Sequence, residues 1–285
     1  RPIGRGVFWF LHIPKTGGTS VRDVLQRGAR RHGWTFVPLF RDHYRRFADH
    51  PDARRHPRSA RPATREREAT LRLNSTPWRR VWSELAAPRP RLIVESHTGS
   101  LGLGSYLHGV LANVSCALRA KGCGLNAVTV LREPVAPALS LAADHAVPRA
   151  RLASFFRDNR DGQLRYVWNG DQVDARVDER AVRRLLARFA LVGRTEALDE
   201  FGGAVRKLLG WSDEELPLRH RNAGNASALA ALAAWRALAR NQTEGDRRLY
   251  GSFFNCKREA RGDFCAARTP YVLTSPPPLR APNDR

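Results

Sequence analysis

The run Val7-Phe8-Trp9-Phe10-Leu11 passes through His12-Ile13 into Pro14-Lys15-Thr16-Gly17-Gly18-Thr19-Ser20, and apolar residues then recur at helical spacing (Val21, Val24, Leu25). The pattern predicts a buried strand over residues 7–13, a tight turn, and a helix over 20–31. Such a junction points several backbone N–H groups and the positive end of a helix dipole at one spot, which suits a phosphate. Gly17 and Gly18 let the backbone approach an anion closely. Thr19 and Ser20 are placed to cap the helix or to offer hydroxyls to the anion. Lys15 adds a mobile charge with three donors.

Residue order discriminates between the phosphate loops that this pattern could represent. A nucleotide triphosphatase loop puts its lysine after the glycines, as Gly-x4-Gly-Lys-Ser/Thr. Here the lysine precedes them, and that template fails. The string His12-Ile-Pro-Lys-Thr-Gly-Gly-Thr-Ser20 instead resembles the 5′-phosphosulfate loop of sulfotransferases that use 3′-phosphoadenosine 5′-phosphosulfate (PAPS). It looks most like the Golgi enzymes that sulfate polysaccharides, the heparan sulfate 6-O- and 2-O-sulfotransferase group.

Further strands and helices alternate along the chain. Short apolar runs at Trp34–Leu39, Arg91–Glu95 and Ala127–Leu131 read as strands, and Leu191–Gly193 as a short strand or turn. Trp78 and Trp82, spaced i, i+4, suit a short packed helix; helical patterns also cover Ala136–Ala143, 178–190 (Val182, Leu185, Leu186, Phe189) and 226–240, and Thr195 is placed to cap an acidic helix start. This alternation predicts an α/β fold, P-loop-like, with a mainly parallel sheet flanked by helices on both faces. Residues 1–273 are expected to form a single sulfotransferase-like catalytic domain. It carries an exposed basic insertion at about 41–72 and is followed by a disordered tail, 274–285. In a sheet of this kind ligands bind beyond the carboxyl ends of the strands. Three such ends carry polar chemistry, at His12–Ser20, Glu95–Thr98 and Arg132–Ser140.

The resemblance extends to two of these ends. Val130-Leu-Arg-Glu-Pro-Val-Ala-Pro-Ala-Leu-Ser140 resembles the family's 3′-phosphate loop, which implies that Arg132 forks onto the 3′-phosphate and Ser140 donates to it. Pro137 follows Pro134 closely, which predicts a distorted helix start. At the third end, His97 matches the position of a general base in the 2-O- and 6-O-type enzymes, and Glu95, two residues earlier on the same strand face, is the competing base. His12 reads as packing or loop support. Leu191-Val-Gly-Arg-Thr-Glu196 resembles a weaker family segment beside the adenosine pocket or the core beneath it.

Charge and cysteine usage bear on partners and compartment. The formal net charge is +22, and of 49 basic residues only Lys15, Lys121, Lys207 and Lys257 are lysine. The resulting field attracts polyanions of any kind. Cys116, Cys123, Cys256 and Cys265 form no C-x2-C pair, which argues against zinc. They fall into two close pairs that suggest disulfides 116–123 and 256–265, one of three possible connectivities. Sequons at Asn74, Asn113, Asn225 and Asn241 point with them to a secretory lumen. No stretch reaches the length of a membrane span. The chain begins at Arg1 and lacks Met, so a trimmed fragment of a Golgi type II protein, its anchor removed, is expected.

The resemblance therefore implies transfer of a sulfuryl group from PAPS, with no metal, to a hydroxyl of an acidic, glycosaminoglycan-like polysaccharide. No nucleic-acid partner is expected. Lys15 would act on the leaving group, and residues Thr16–Ser20 would hold the 5′-phosphate. Two other classes stay open from the residues alone: a P-loop nucleotide kinase or phosphotransferase, and a non-catalytic polyanion-binding module.

Overall fold

A computed structural model describes residues 4–39, 76–96, 118–169, 177–212 and 226–254. Five strands form one all-parallel sheet: β1 (Gly6–Leu11), β2 (Thr35–Pro38), β3 (Arg91–Ser96), β4 (Gly124–Leu131) and β5 (Leu191–Arg194), in the order β2-β3-β1-β4-β5. The expected α/β class is what the chain adopts. β1 is central and fully buried, as its unbroken apolar run requires of a strand covered on both faces. Leu11, its last residue, lies level with Ser96 of β3 and Thr129 of β4.

Alternation along β1 sorts the two layers of helices. Phe8 and Phe10 face α1 (Gly18–His32) and α7 (Leu198–Leu209) in one apolar cluster with Val21, Val24, Phe201 and Val205. Val7, Trp9 and Leu11 face the other way. They join Val81 and Leu85 of α2 (Thr76–Ala86), Leu164 and Val167 of α5 (Gly162–Asn169), and Val182, Leu185 and Leu186 of α6 (Glu179–Leu186). Leu249 of α10 (Glu244–Phe254) completes that side. Each fully buried ring of β1 contributes about 1.5–3 kcal/mol by burial.

A third, smaller cluster lies among α3 (Val135–Asp144), α4 (Leu152–Asp158), α8 (Ala226–Ala231) and α9 (Arg236–Asn241), built on Val135, Leu139, Phe156 and Ala239.

Most boundaries follow local chemistry. α1 begins at Gly17 (φ 82°) and ends at Gly33 (φ 65°), both left-handed, with Arg30, Arg31 and His32 beside the negative end of its dipole. Asp178 caps α6 by accepting from the Ala181 amide at 3.0 Å. The Lys121 ammonium donates to the carbonyls of Leu85 and Ala87, closing the end of α2.

Four expectations are corrected. Thr19 and Ser20 do not cap α1; they lie inside it, and Gly17 takes the cap position without a side-chain bond. Trp82 is exposed, because α2 packs through Val81 and Leu85 instead. The segment 226–240 is not one helix: α8 gives way to a 3₁₀ turn at Ala233–Trp235 before α9. Pro137 distorts nothing: it is the third residue of α3, where a helix has no intrahelical acceptor for an amide hydrogen. The insertion 41–72, the tail 274–285, Cys116, Cys256, Cys265 and the sequons at Asn74, Asn113 and Asn225 lie outside the described residues. Cys123 is buried, its thiol 3.5 Å from the Lys121 carbonyl, and Asn241 is exposed at the end of α9. No helix among the described residues is long and apolar enough to cross a membrane.

β5 meets α7 closely. A side chain on Gly193 would collide with the Phe201 ring, which fills the space above the strand. Gly193→Ala is therefore expected to cost about 1–3 kcal/mol by overpacking, read as a lower urea midpoint with an unchanged m-value.

Candidate functional site

The loop between β1 and α1 is built from the inside outward. His12 follows β1 and is buried, its ring stacked on Phe10 at a centroid distance of 5.5 Å. Its Nδ1 lies 2.6 Å from Oε1 of Glu95, which is completely buried at the end of β3. Burial, with the Arg22 guanidinium adding to it, lowers the His12 pKa to about 3, so the ring is neutral and its Nδ1–H donates to the Glu95 carboxylate. Arg22 of α1 approaches the same carboxylate oxygen at 3.8 Å. Gly18 lies directly against the His12 ring, leaving no space for a Cβ, and a Cβ on Gly17 would press on Leu198 of α7. Both glycines are thus required by packing as well as by any close approach of an anion.

Lys15 and Thr16 complete the turn. Lys15 has φ 63°, a left-handed conformation that costs an ordinary residue about 1–2 kcal/mol. Its carbonyl accepts from Nη1 of Arg132 at 3.1 Å. Its ammonium meets Oδ1 of Asp144, the last residue of α3, at 2.7 Å. Thr16 is fully buried, and its hydroxyl donates to the Ile13 carbonyl at 2.9 Å, bracing the turn from below. Thr19 is half-buried on the first turn of α1, and Ser20 is buried behind it. The Ser20 amide donates to the Gly17 carbonyl at 3.0 Å, whereas the helix offers no acceptor to the amides of Gly18 and Thr19.

The second arm is the turn after β4. Arg132 leaves the strand end, and Glu133 accepts from the Ala136 amide at 3.3 Å as α3 begins. Ser140 is half-buried, one turn before Asp144 on the same face of α3, the face to which Lys15 reaches. The structure thus brings Lys15 and Arg132 together at the ends of two adjacent parallel strands, with Ser140 on the face of α3 to which Lys15 reaches. His97 and Thr98 lie outside the described residues. Glu95 is described, with its carboxylate turned inward to His12.

Two further residues brace this region, one in a role the sequence did not suggest and one outside every motif. Thr195, expected to cap a helix, instead sends its hydroxyl across to the carbonyls of Thr16 (2.6 Å) and Leu131 (3.3 Å). It ties the end of β5 to both loops. Gln163, at the start of α5, brackets the Arg132 backbone: its Oε1 accepts from the Arg132 amide and its Nε2 donates to the Arg132 carbonyl, each at 2.8 Å. The only local signal for Thr195 is its position in the Val-Gly-Arg-Thr-Glu segment, and Gln163 has none.

Among the described residues no group of three or more His, Cys, Asp or Glu could hold a metal ion. No protein-family model matches the chain, and comparison with curated proteins finds no match.

The buried imidazole sets a pH dependence. In the unfolded chain His12 takes up a proton near its ordinary value of 6.5, whereas the folded protein resists protonation down to about 3. The unfolded state therefore binds more protons across that window, and this histidine's contribution to stability falls as pH drops from about 6.5 towards 3, by up to ~1.4 kcal/mol per pH unit. Urea unfolding at several pH values should show the decline, and His12→Gln should flatten it relative to the wild type.

Proposed function

We propose that the chain is a sulfotransferase that moves a sulfuryl group from PAPS to a hydroxyl of an acidic polysaccharide. The observation that carries the proposal is the meeting of Lys15 and Arg132, two basic residues from separate motifs, at the ends of neighbouring strands β1 and β4. A nucleotide with phosphates at both ends of its ribose needs two anion grips side by side, and the crevice outside parallel strand ends is where such ligands lie.

PAPS supplies the sulfuryl group on an activated phosphosulfate bond. The acceptor hydroxyl oxygen forms the new S–O bond, the bond to the 5′-phosphate breaks, and adenosine 3′,5′-bisphosphate leaves. As in phosphoryl transfer, catalysis consists mainly of positioning and charge stabilisation. Lys15 is assigned to the charge that develops towards the 5′-phosphate. The ion pair that now occupies its ammonium involves a largely exposed Asp144 carboxylate, so exchanging that partner for an anion costs little. Amides and hydroxyls of Thr16–Ser20 take the 5′-phosphate, with the Thr16 hydroxyl serving the loop itself. Arg132 and Ser140 take the 3′-phosphate and thereby distinguish PAPS from ATP.

The hydroxyl proton goes to His97 or Glu95. The burial of Glu95 and its bond to His12 favour His97 as the base and leave Glu95 to hold the loop. An acidic acceptor is favoured by a cleft of about 630 Å³ beside Glu133 and Pro134, whose wall carries Arg236, Arg240, Arg247 and Arg248. Glu133, on its wall, directly follows Arg132, and arginine pairs with carboxylate and sulfate groups. The Golgi lumen is the compartment proposed with this activity.

Incubation with sulfur-labelled PAPS and a panel of desulfated polysaccharides should label at least one acidic polymer. No transfer to any of them, with no retention on immobilised adenosine 3′,5′-bisphosphate, would end the proposal. Lys15→Ala should lower the transfer rate at least ~10²-fold, as loss of a transition-state donor does elsewhere; a variant of near wild-type rate would remove the lysine from the mechanism.

A further inference from the structure

Arg132 and Glu133 form the turn proposed to grip the 3′-phosphate, yet neither is held only by its own strand or helix. Gln163 brackets the Arg132 backbone through its side chain. Gln163 is in turn fixed by α10: the buried carboxylate of Asp246 accepts from the Gln163 amide at 3.1 Å through Oδ2 and from the Leu164 amide at 2.7 Å through Oδ1. A carboxylate from a distant helix thus caps the first turn of α5. Burial and the neighbouring Asp161 raise the Asp246 pKa to about 7, while the two amide bonds act the other way. Asp161 also accepts from the Asp246 amide at 3.0 Å, and Gly245 packs against the Asp161 carboxylate with no space for a Cβ.

A second route runs from the same face of α10. Tyr250, one turn after Asp246, donates its hydroxyl to Oε2 of Glu196 at 2.8 Å, and Oε1 of Glu196 accepts from the Glu133 amide at 3.0 Å. Burial and that carboxylate keep the phenol protonated by raising its pKa well above its ordinary value. Two residues spaced i, i+4 on one helix therefore reach two consecutive backbone positions of the turn, each through one intermediary.

We propose that α10 is a positioning element for the 3′-phosphate grip: Asp246 acting through Gln163, and Tyr250 acting through Glu196, hold the Arg132–Glu133 turn in its binding geometry. The chemistry supports such a role. A side-chain amide that both donates to and accepts from one residue's backbone fixes its position and its rotation together, which the guanidinium of Arg132 requires if it is to meet a phosphate with two aligned donors. The proposal rests on the functional reading above, in which Arg132 recognises the 3′-phosphate.

Isothermal titration of the whole chain with adenosine 3′,5′-bisphosphate and with adenosine 5′-monophosphate separates the possibilities. In the wild type the bisphosphate should bind more tightly, the ratio measuring the 3′-phosphate grip. Gln163→Ala should raise the bisphosphate Kd about tenfold, and Tyr250→Phe about threefold, as loss of hydrogen bonds to the turn implies. The monophosphate Kd should not change in either. Gly28→Ala, which crowds the Trp211 ring in the C-terminal half of α1, away from the turn, is destabilising and should leave the ratio intact. Tyr250→Phe removes one oxygen from a half-buried ring and carries the test if Gln163→Ala fails to fold. Equal weakening of both nucleotides, or no weakening of either, would overturn the positioning role. A wild type that binds both nucleotides equally, or neither, would instead overturn the functional reading and this inference with it.

Discussion

The hydrogen bond from the Arg132 guanidinium to the Lys15 carbonyl joins the two loops on which the candidate site is built. Lys15 sits in a left-handed conformation costing about 1–2 kcal/mol. A hydrogen bond from a charged donor contributes about 1.5–3 kcal/mol, enough to offset that cost. The partnership is therefore a local trade: the turn accepts strain, and the arginine from the neighbouring strand stabilises the strained form. The Thr195 hydroxyl adds a second tie, bonding the carbonyls of Thr16 and Leu131. Three neighbouring strand ends are laced together by side chains donating to backbone oxygens.

Beneath this surface lies a different kind of interaction. Glu95 and His12 are shielded from water, and their 2.6 Å bond is protected from competition. The Lys15–Asp144 pair above them is partly solvated and exchangeable. A buried, neutral-histidine foundation under an exchangeable cation suits the anion site proposed for this loop. It also accounts for Gly18, which the ring of His12 requires to be small.

What could be read along the chain depended on how far apart the cooperating residues lie. The β1–α1 junction was legible because the apolar run, the glycines and the helical repeat are contiguous. The same holds for β4 with α3, and for the sorting of Phe8 and Phe10 from Val7 and Trp9 by alternation alone. Thr195 and Thr16 are 179 positions apart, and Asp246 and Gln163 are 83. No local periodicity encodes such pairs. The exposure of Trp82 has the same origin, since an i, i+4 spacing of aromatics marks a helix face without saying which face meets the sheet.

By itself the sequence determined the strands and the helices α1, α2, α3, α6 and α7 that flank them, because strand and helix patterns arise from side chains a few positions apart and a run buried on both faces belongs in a parallel sheet; α4, α5 and α10 came only from the structure. It also determined that basic and hydroxyl residues follow two of the strands. Only the tertiary structure decided that β4 lies beside β1, bringing Arg132 to the Lys15 carbonyl, and that Glu95 turns inward to His12. Strand order is settled by how whole faces pack and by which buried polar groups find partners, and those choices are made between segments that share no local pattern.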